Sequence, residues 1–343
     1  MSESFRISVI IPVYRAGEFI ERAVTRILEQ PEVAEVVLME DGSPDDSLAK
    51  CRMLAERHSC VKVYQHPNGE NRGCGETRNA GIQYTTCEFV AFADADNLYL
   101  PERFKRDREI FESDPSIDGV YNAQGIHYES DAAREKFAQG GLAFAELLSV
   151  SAPVPPEELL SVMLGIHPTA KMIAGLGIDA ITLRRRCFEK AGYFEKELRL
   201  QQDVHFFFKL AAACRMAPSN IETPVALRGV HESMRSTDPA QQDKYRRLRW
   251  QLLEKWARTT LTDRHRRQQF IKAHADFRMR DAEGWRSKLR FVSDAIKWPA
   301  EIFQIYGRFD TNYLEVFRNR RLPVKLLSVK NRILRTFSRT RQP

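Results

Sequence analysis

The chain has 343 residues, 43% of them hydrophobic and 29% charged, which is enough apolar material for one large α/β domain or for one domain with a smaller appendage. It has no run of about 18 uninterrupted apolar residues, so we expect no transmembrane helix. The net charge of +7 arises in residues 316–343, which hold nine Lys or Arg and no acidic residue; residues 1–315 carry −2, which argues against a broad nucleic-acid-binding surface.

The N-terminus and the cysteines favour a cytosolic protein. Residues 1–6 lead directly into the strand-like Ile7–Val13, without the positive start and longer apolar stretch that a signal peptide needs. The six cysteines form no C-x-x-C pair, so we expect reduced thiols that mostly serve packing, and no zinc site.

Strand and helix patterns alternate over the first 125 residues. The predicted strands are Ile7–Pro12, Val36–Met39, Val61–Gln65 and Phe89–Ala93. The predicted helices between them are Phe19–Leu28, a segment that ends near Arg57, and Thr77–Tyr84. This series predicts an α/β fold with a doubly wound, mostly parallel sheet, whose ligands bind beyond the carboxyl ends of the strands.

The later half of the chain is less regular. Residues 130–178 are rich in Ala, Gly and Pro, which predicts a loop-rich insertion with one or two helices. Over residues 179–232 we predict a strand near Ile181–Leu183, a helix near Asp203–Cys214 and a strand near Pro224–Val230. Helical patterns continue from residue 239 to about 280, so the α/β part is followed by a helical C-terminal extension.

Acidic residues follow two of the predicted strands. Asp41 comes after Val-Val-Leu-Met-Glu, and Asp94 and Asp96 come after Phe-Val-Ala-Phe-Ala. Parallel strands place such residues along one rim, where a diphosphate with Mg²⁺ or Mn²⁺ finds its oxygen ligands. Taken singly, Asp41 could instead open a turn, and Asp96 could cap the helix after Pro101. Their occurrence together favours the metal–diphosphate interpretation.

Nine short segments, in their order, resemble the family 2 glycosyltransferases. They are Ile10–Tyr14, Glu40–Ser43, Asn71–Gly73, Thr77–Gly81, Asp94–Asp96, Leu183–Arg186, Ala191–Phe194, Gln201–Asp203 and Arg228–Ser236. The resemblance implies the GT-A fold and an inverting, hexosyltransferase-type enzyme that takes a sugar from a nucleotide diphosphate, with UDP favoured, and that uses Mn²⁺ or Mg²⁺. It also implies a glycan or lipid-linked glycan acceptor, as in the synthesis of cell-surface polysaccharide or glycolipid.

The resemblance implies roles in donor binding for four residues. Pro12 and Tyr14 would line the nucleobase pocket. Asp41 would accept a hydrogen bond from the base, which suits uracil N3–H. Arg78, on the helix after the glycine-containing loop, would reach the base or the diphosphate.

A metal site is implied at Asp94, Asp96 and His231. Asp94 would bind the ribose or lie near the metal, and Asp96 would coordinate the metal that bridges the two phosphates. His231, in the spacing Arg-x-x-His-x-Ser-x-x-Ser, would complete the metal shell, although it could also be a surface histidine in a turn. Asn97 stands where many relatives carry another Asp, so the resemblance defines the donor preference less closely.

Asp203 is the candidate general base. In the family, an acidic residue that opens a helix removes the proton of the acceptor hydroxyl as its oxygen attacks the anomeric carbon. The common Glu-Asp pair reads Gln202-Asp203 here, so only the second carboxylate is kept. The alternative is an N-cap of the following helix, and one residue can serve both roles.

Two basic segments lie toward the C-terminus. Residues 246–250 match a pattern of processive polysaccharide synthases, but Tyr245, Leu248, Leu252 and Trp256 recur at helical spacing, which favours ordinary packing. Residues 316–343 form a basic amphipathic pattern that suits an anionic membrane surface or a helix docked on its own domain. The first alternative would place the protein at the inner face of the membrane.

These interpretations divide the chain into a GT-A catalytic domain over residues 1–237 and a helical region over 238–343. Residues 1–125 would bind the nucleotide sugar, and residues 126–237, with the insertion 130–178, would bind the acceptor. The alternative function is a sugar-nucleotide-binding protein or a nucleotidyltransferase-like enzyme on the same fold. A nucleotidyltransferase would show a Gly-rich loop at Ile10–Tyr14, and a binding protein would be expected to lose Asp96 or Asp203.

Overall fold

Residues 5–139, 146–232 and 239–280 are described by a computed structural model of the chain. They group into two compact units, divided between Leu253 and Glu254 within a long helix. In these ranges no helix is long and apolar enough to cross a membrane. The six cysteines all lie there and are free thiols, as predicted.

The first unit is built on a sheet of seven described strands. They are β1 (Ile7–Val13), β2 (Val33–Glu40), β3 (Val61–Gln65), β4 (Phe89–Phe92), β6 (Gly119–Tyr121), β10 (Ile181–Arg184) and β11 (Met216–Pro218). Their order is β11-β6-β10-β4-β1-β2-β3, and every neighbouring pair is parallel except the two that β10 makes. The predicted doubly wound, mostly parallel sheet is therefore confirmed.

Four helices accompany the first half of this sheet: α1 (Ile20–Leu28), α2 (Ser47–Arg57), α3 (Cys74–Tyr84) and α4 (Lys105–Ser113). The apolar residues of α1 recur at helical spacing and are buried, which explains why this segment forms a helix on the sheet. α3 lies unusually close to β1, because a Cβ at Gly81 would stand 2.5 Å from a methyl carbon of Ile10. Glycine at this position therefore lets α3 pack closely on β1.

A second sheet lies within the same unit. Its strands are β5 (Leu98–Tyr99), β7 (Ala123–Tyr128), β8 (Leu147–Val150), β9 (Met172–Ile173) and β12 (Pro224–Val230), in the order β5-β12-β7-β8-β9. The prediction for residues 130–178 was incomplete: helices α5 (Asp131–Gln139) and α6 (Leu159–Met163) are present, but β8 and β9 also form. Strands of two to four residues are too short to show a period in the sequence.

The remaining helices are α7 (Arg186–Ala191), α8 (Gln202–Ala213), α9 (Pro239–Thr260) and α10 (Arg264–Arg280). In the second unit, the end of α9 and α10 are joined by an ion pair between Glu254 and His274 and by an edge contact between Trp256 and Phe270. The helical C-terminal extension is thus confirmed over its described part. The basic segment 316–343 lies outside the described residues, and so does the predicted boundary at 237.

Candidate active site

Three polar segments meet where the parallel strands β1, β2 and β4 end. β1 and β2 pair up to Val13 and Glu40, so Tyr14 and Asp41 leave the sheet side by side. The backbone N–H of Asp41 donates to the carbonyl of Val13 at 2.9 Å. β4 pairs with the other side of β1 and delivers Asp94 to the same end of the sheet. The predicted donor-site residues therefore lie along one rim.

Pro12 and Tyr14 stand on this rim next to Asp41. Pro12 pairs with Met39 in the register of β1 and β2. Both Pro12 and Tyr14 are half-buried, and the guanidinium carbon of Arg15 lies 5.4 Å from the centre of the Tyr14 ring. A flat, partly exposed ring at this place has the character needed for contact with a nucleobase.

The carboxylate of Asp41 is bonded to the loop before α3. Its side chain is 4% exposed, and its two oxygens accept the backbone N–H groups of Arg72 at 2.7 Å and Gly73 at 2.9 Å. His66 places Nε2 3.5 Å from Oδ1, and burial lowers the pKa of this histidine. Asp41 thus holds the loop that leads into α3. A nucleobase would have to share this carboxylate, so its role in base recognition stays a prediction.

Arg78 joins α3 to the end of β4. It is 2% exposed, and Nη2 donates to Oδ1 of Asp94 at 2.5 Å. Its guanidinium carbon lies 5.4 Å from the centre of the Phe194 ring. Nε and Nη1 are buried and have no hydrogen-bond partner among the described residues. Buried donors without a partner are costly, so these two N–H groups are suited to an anionic ligand.

Asp96 and His231, the two predicted metal ligands, lie in contact with each other. His231 follows β12 directly and places Nε2 3.2 Å from Oδ2 of Asp96, while its ring centre lies 4.6 Å from that of Phe19. Neighbouring ligands of an octahedral ion at about 2.1 Å are roughly 3 Å apart, so the pair fits a single Mn²⁺ or Mg²⁺. Groups of three or more His, Cys, Asp or Glu side chains that could hold a metal ion are absent from the described ranges.

The alternative roles of Asp96 and Asp203 as helix caps are not observed. The helix after Pro101 begins at Lys105, far along the chain from Asp96. α8 begins at Gln202, so Asp203 stands in its first turn, and its Oδ1 accepts the N–H of Val204 at 2.8 Å. The residue before the helix is Gln201, in the left-handed conformation with φ 61°. Asp203 is therefore not the N-cap residue, although its carboxylate accepts one N–H group of the first turn.

Asp203 lies near Asp94 and Arg78. Its charge acts on both, which brings the candidate base to the candidate donor site. Burial raises the pKa of Asp94, and the carboxylates of Asp96 and Asp203 act in the same direction, while Arg78 opposes them. Three carboxylates thus lie near one another, an arrangement that a divalent cation would relieve.

Asp179 is a buried carboxylate that the sequence interpretation missed. It is fully buried just before β10; Oδ1 accepts the N–H of Asp94 at 2.8 Å, and Oδ2 accepts the side-chain amides of Asn97 at 2.6 Å and Gln124 at 3.0 Å. Burial raises the pKa of Asp179 to about 7, with the charge of Asp94 adding to the effect. The sequence did carry a signal for it, because Asp179 is a single acidic residue within an apolar segment. Acidic residues are rarely fully buried, so an acid in such a segment points to specific partners.

Arg249 on α9 also approaches the candidate base. Burial lowers the pKa of Arg249 to about 10, and the positive charge of Arg246 lowers it further. The negative charge of Asp203 acts in the opposite direction and raises this pKa. Trp250 is 9% exposed and its ring lies 5.4 Å from Phe208, as the packing interpretation predicted. The segment that resembles a processive-synthase pattern therefore packs on α8 and brings a cation to Asp203.

Residues 8–140 match the family model described as Glycosyl transferase family 2. Over these residues the chain is similar to the family 2 glycosyltransferases. An uncharacterized glycosyltransferase of Haemophilus influenzae is 24% identical to it over 241 residues, which are 69% of this chain and 74% of the relative. The succinoglycan biosynthesis protein ExoU of Rhizobium meliloti is 35% identical over 97 residues, which are 28% of each chain. The match to ExoU thus spans about a quarter of that relative.

Solved structures share the fold of this chain. Residues 1–349 of S. aureus TarS, crystallised in complex with UDP-GlcNAc, align with a TM-score of 0.59 at 18% identity, over 84% of this chain and 79% of that one. The same TarS segment without that ligand aligns with a TM-score of 0.57 at 17% identity, over 84% of this chain and 78% of that one. At this identity the likeness concerns the fold, which is of the predicted GT-A type.

Proposed function

We propose that this protein moves a sugar from a UDP-sugar to an acceptor hydroxyl, with inversion and with the help of one divalent cation. The observation that carries the proposal is the guanidinium of Arg78. Two of its N–H donors are buried without a partner among the described residues, near Asp94 and Asp203. Oxygens of a diphosphate are the acceptors that such donors bind most strongly.

The nucleoside part of the donor would lie on the rim formed by Pro12, Tyr14 and Asp41. The half-buried ring of Tyr14 offers a face for the base, and Asp41 offers a carboxylate to a donor such as uracil N3–H. The likeness to TarS, whose crystal structure contains UDP-GlcNAc, supports uridine as the nucleoside. Asp94 would bind the ribose or stand next to the metal.

Asp96 and His231 would hold Mn²⁺ or Mg²⁺. When bound, the ion stabilises the negative charge that grows on the leaving diphosphate. Arg78 supplies a second positive charge to the same leaving group, and its position is set by the bond to Asp94.

Asp203 would act as the general base. It takes the proton of the acceptor hydroxyl while that oxygen forms a bond to the anomeric carbon and the bond to the diphosphate oxygen breaks. The proton ends on Asp203 and the electron pair on the diphosphate. Because there is one displacement, the anomeric configuration inverts.

The acceptor would be a glycan of the cell surface, either free or carried on a lipid. The likeness to ExoU, a succinoglycan biosynthesis protein, and to GgaB, a minor teichoic acid biosynthesis protein of Bacillus subtilis, supports this class. Residues 316–343 would bind an anionic membrane surface and bring the enzyme to such an acceptor.

A panel of nucleotide sugars tests the donor. We expect UDP-sugars to raise the melting temperature only when Mn²⁺ or Mg²⁺ is present, and GDP- and ADP-sugars to have a smaller effect. The product formed with the best donor should have inverted anomeric configuration by NMR. A product with retained configuration would exclude the single displacement. An equal rise in melting temperature with EDTA and with the metal would exclude a metal-dependent donor site.

A further inference from the structure

Asp179 is fully buried, yet it does not face the substrate cleft with its carboxylate. Both oxygens are engaged by the turn that carries the candidate metal ligand: Oδ1 by the backbone N–H of Asp94 at 2.8 Å and Oδ2 by the side-chain amide of Asn97 at 2.6 Å. The side-chain amide of Gln124, on β7, also donates to Oδ2 at 3.0 Å. The turn is thus held at both its ends by one carboxylate.

Asn97 extends this contact to the second sheet. While its amide nitrogen donates to Asp179, its Oδ1 accepts the backbone N–H of Gly229 at 2.9 Å. Gly229 belongs to β12, which carries His231 directly after its last residue. One amide group therefore connects the buried carboxylate to the strand that delivers the second candidate metal ligand.

The two backbone segments also touch directly. A Cβ at Gly229 would lie 2.1 Å from the carbonyl oxygen of Asp96, so glycine is required for the two segments to approach this closely. The contact sets how near Asp96 and His231 can come, and the bond through Asn97 sets how far apart they can move. With the backbone held in this way, the ligand atoms of the two side chains lie 3.2 Å apart.

From this geometry we propose that Asp179 is a positioning residue for the metal pair. Through Asn97 and Gly229 it holds Asp96 and His231 at the separation that one divalent cation requires. The proposal rests on the proposed function, because it assumes that this pair binds the metal. Partners that orient metal ligands in other proteins typically contribute 10–100-fold to metal affinity.

The competing hypothesis is that Asp179 serves only the stability of the fold. The surroundings of its carboxylate argue against this. Arg103 donates to the backbone carbonyl of Asp179, and its side-chain ion pair is with Asp107 instead. The carboxylate of Asp179 thus has amide donors but no ion pair among the described residues. A buried carboxylate without an ion pair is costly to the fold, so its presence points to a role in the site.

The test uses Asp179→Asn, Asn97→Asp and the double variant, in the full chain. Asp179→Asn places an NH₂ group where an acceptor faces the amide of Asn97. Asn97→Asp places a second carboxylate next to that of Asp179. The double variant restores a donor–acceptor pair with the roles exchanged. Asp118→Asn is the matched control, since Asp118 is equally buried but bonds to Arg186, Lys190 and the N–H of Arg215, away from the cleft.

The measurement is Mn²⁺ binding in the presence of saturating UDP, followed by EPR, together with the melting temperature. We expect each single variant to weaken Mn²⁺ binding about tenfold or more, the double variant to regain most of it, and Asp118→Asn to lose stability with unchanged Mn²⁺ affinity. Single variants that lose stability but bind Mn²⁺ as wild type would overturn the proposal and leave the proposed function standing. A wild-type protein that binds no Mn²⁺ with UDP would overturn both. If Asp179→Asn does not fold, the Mn²⁺ affinities of Asn97→Asp and of the double variant test the proposal by themselves.

Discussion

Replacing Gly229 by Ala tests how the contact between β12 and the turn at Asp96 controls the metal pair. The added Cβ would stand 2.1 Å from the carbonyl oxygen of Asp96, whereas real contacts are essentially never closer than 3.0 Å. The two segments must therefore separate by about 0.9 Å. The carbonyl oxygen of Asp96 is a backbone atom, and the position of the added Cβ is fixed by the backbone. A side-chain rotation therefore cannot relieve the clash. The movement also stretches the 2.9 Å bond from Gly229 to Asn97.

The expected cost has two parts. Overpacking of this kind destabilises a fold by roughly 1–3 kcal/mol. A displacement near 1 Å in a site reduces turnover by on the order of 10²-fold, because the ligand atoms of Asp96 and His231 no longer fit one ion. We therefore expect Gly229→Ala to melt at a lower temperature and to need a much higher Mn²⁺ concentration for UDP binding.

Gly75→Ala is the matched control for this substitution. A Cβ at Gly75 would have its nearest neighbours at 3.6 Å, an ordinary contact, although the residue lies in the first turn of α3 near the same cleft. We expect equal or slightly higher stability and an unchanged Mn²⁺ requirement. Calorimetric titration of UDP at several Mn²⁺ concentrations makes the comparison. A Gly229→Ala protein with the wild-type Mn²⁺ requirement would refute the reasoning.

Three further predictions concern other parts of the chain. Asp203→Asn should keep UDP-sugar binding by calorimetry but lower the transfer rate by roughly 10²–10⁴-fold, and a rate within a few-fold of wild type would exclude Asp203 as the base. The stability of wild type relative to Asp179→Asn should fall as the pH rises from about 4 to about 7. The reason is that the folded state keeps the proton of Asp179 up to a pKa of about 7, while the unfolded chain releases it near 4. Urea unfolding of both proteins at several pH values measures this difference in stability, and a difference that does not change with pH would contradict the burial argument. A chain that ends at Glu315 should keep donor binding but lose the salt-sensitive co-sedimentation with anionic vesicles that the full chain shows, whereas equal binding by both would assign the basic segment to another role.

The central strands β1, β2 and β4 could be predicted from the sequence because most of their apolar residues are buried. Four parallel strands were expected, and β3 at Val61–Gln65 and β12 at Pro224–Val230 have the predicted bounds. Both contain several apolar residues and are bounded by polar residues, which is the signal that local sequence carries well. The short strands of the second sheet were missed, since β5 and β9 have two residues each and form only because neighbouring strands offer hydrogen bonds.

The candidate site was predictable where its residues stand at strand ends or in motifs. Asp41, Asp94 and Asp96 share one rim because parallel strands end on the same side. His231 approaches Asp96 because β12 pairs with β5, which follows Asp96 within two residues. Asp179 could not be placed in the same way, because its partners come from three segments that only the tertiary fold brings together.

The alternative roles were also beyond local sequence. An Asp near a helix start is a common N-cap, and only the structure shows that α8 begins one residue before Asp203. The bonds of Asp41 to the N–H groups of Arg72 and Gly73 depend on how the loop after β3 returns to β2. Such contacts are set by chain geometry over some thirty residues, which periodicity does not describe.

Calorimetric titration of UDP into wild type and Asp96→Ala, each with EDTA and with Mn²⁺, tests the central claim most directly. If Asp96, His231 and Arg78 form a metal–diphosphate site, wild type should bind UDP tightly with Mn²⁺ and weakly with EDTA. Asp96→Ala should be folded and should bind UDP weakly in both conditions, since a half-exposed rim residue contributes little to the core. Equal Mn²⁺-dependent binding by the two proteins would contradict the assignment of this cleft.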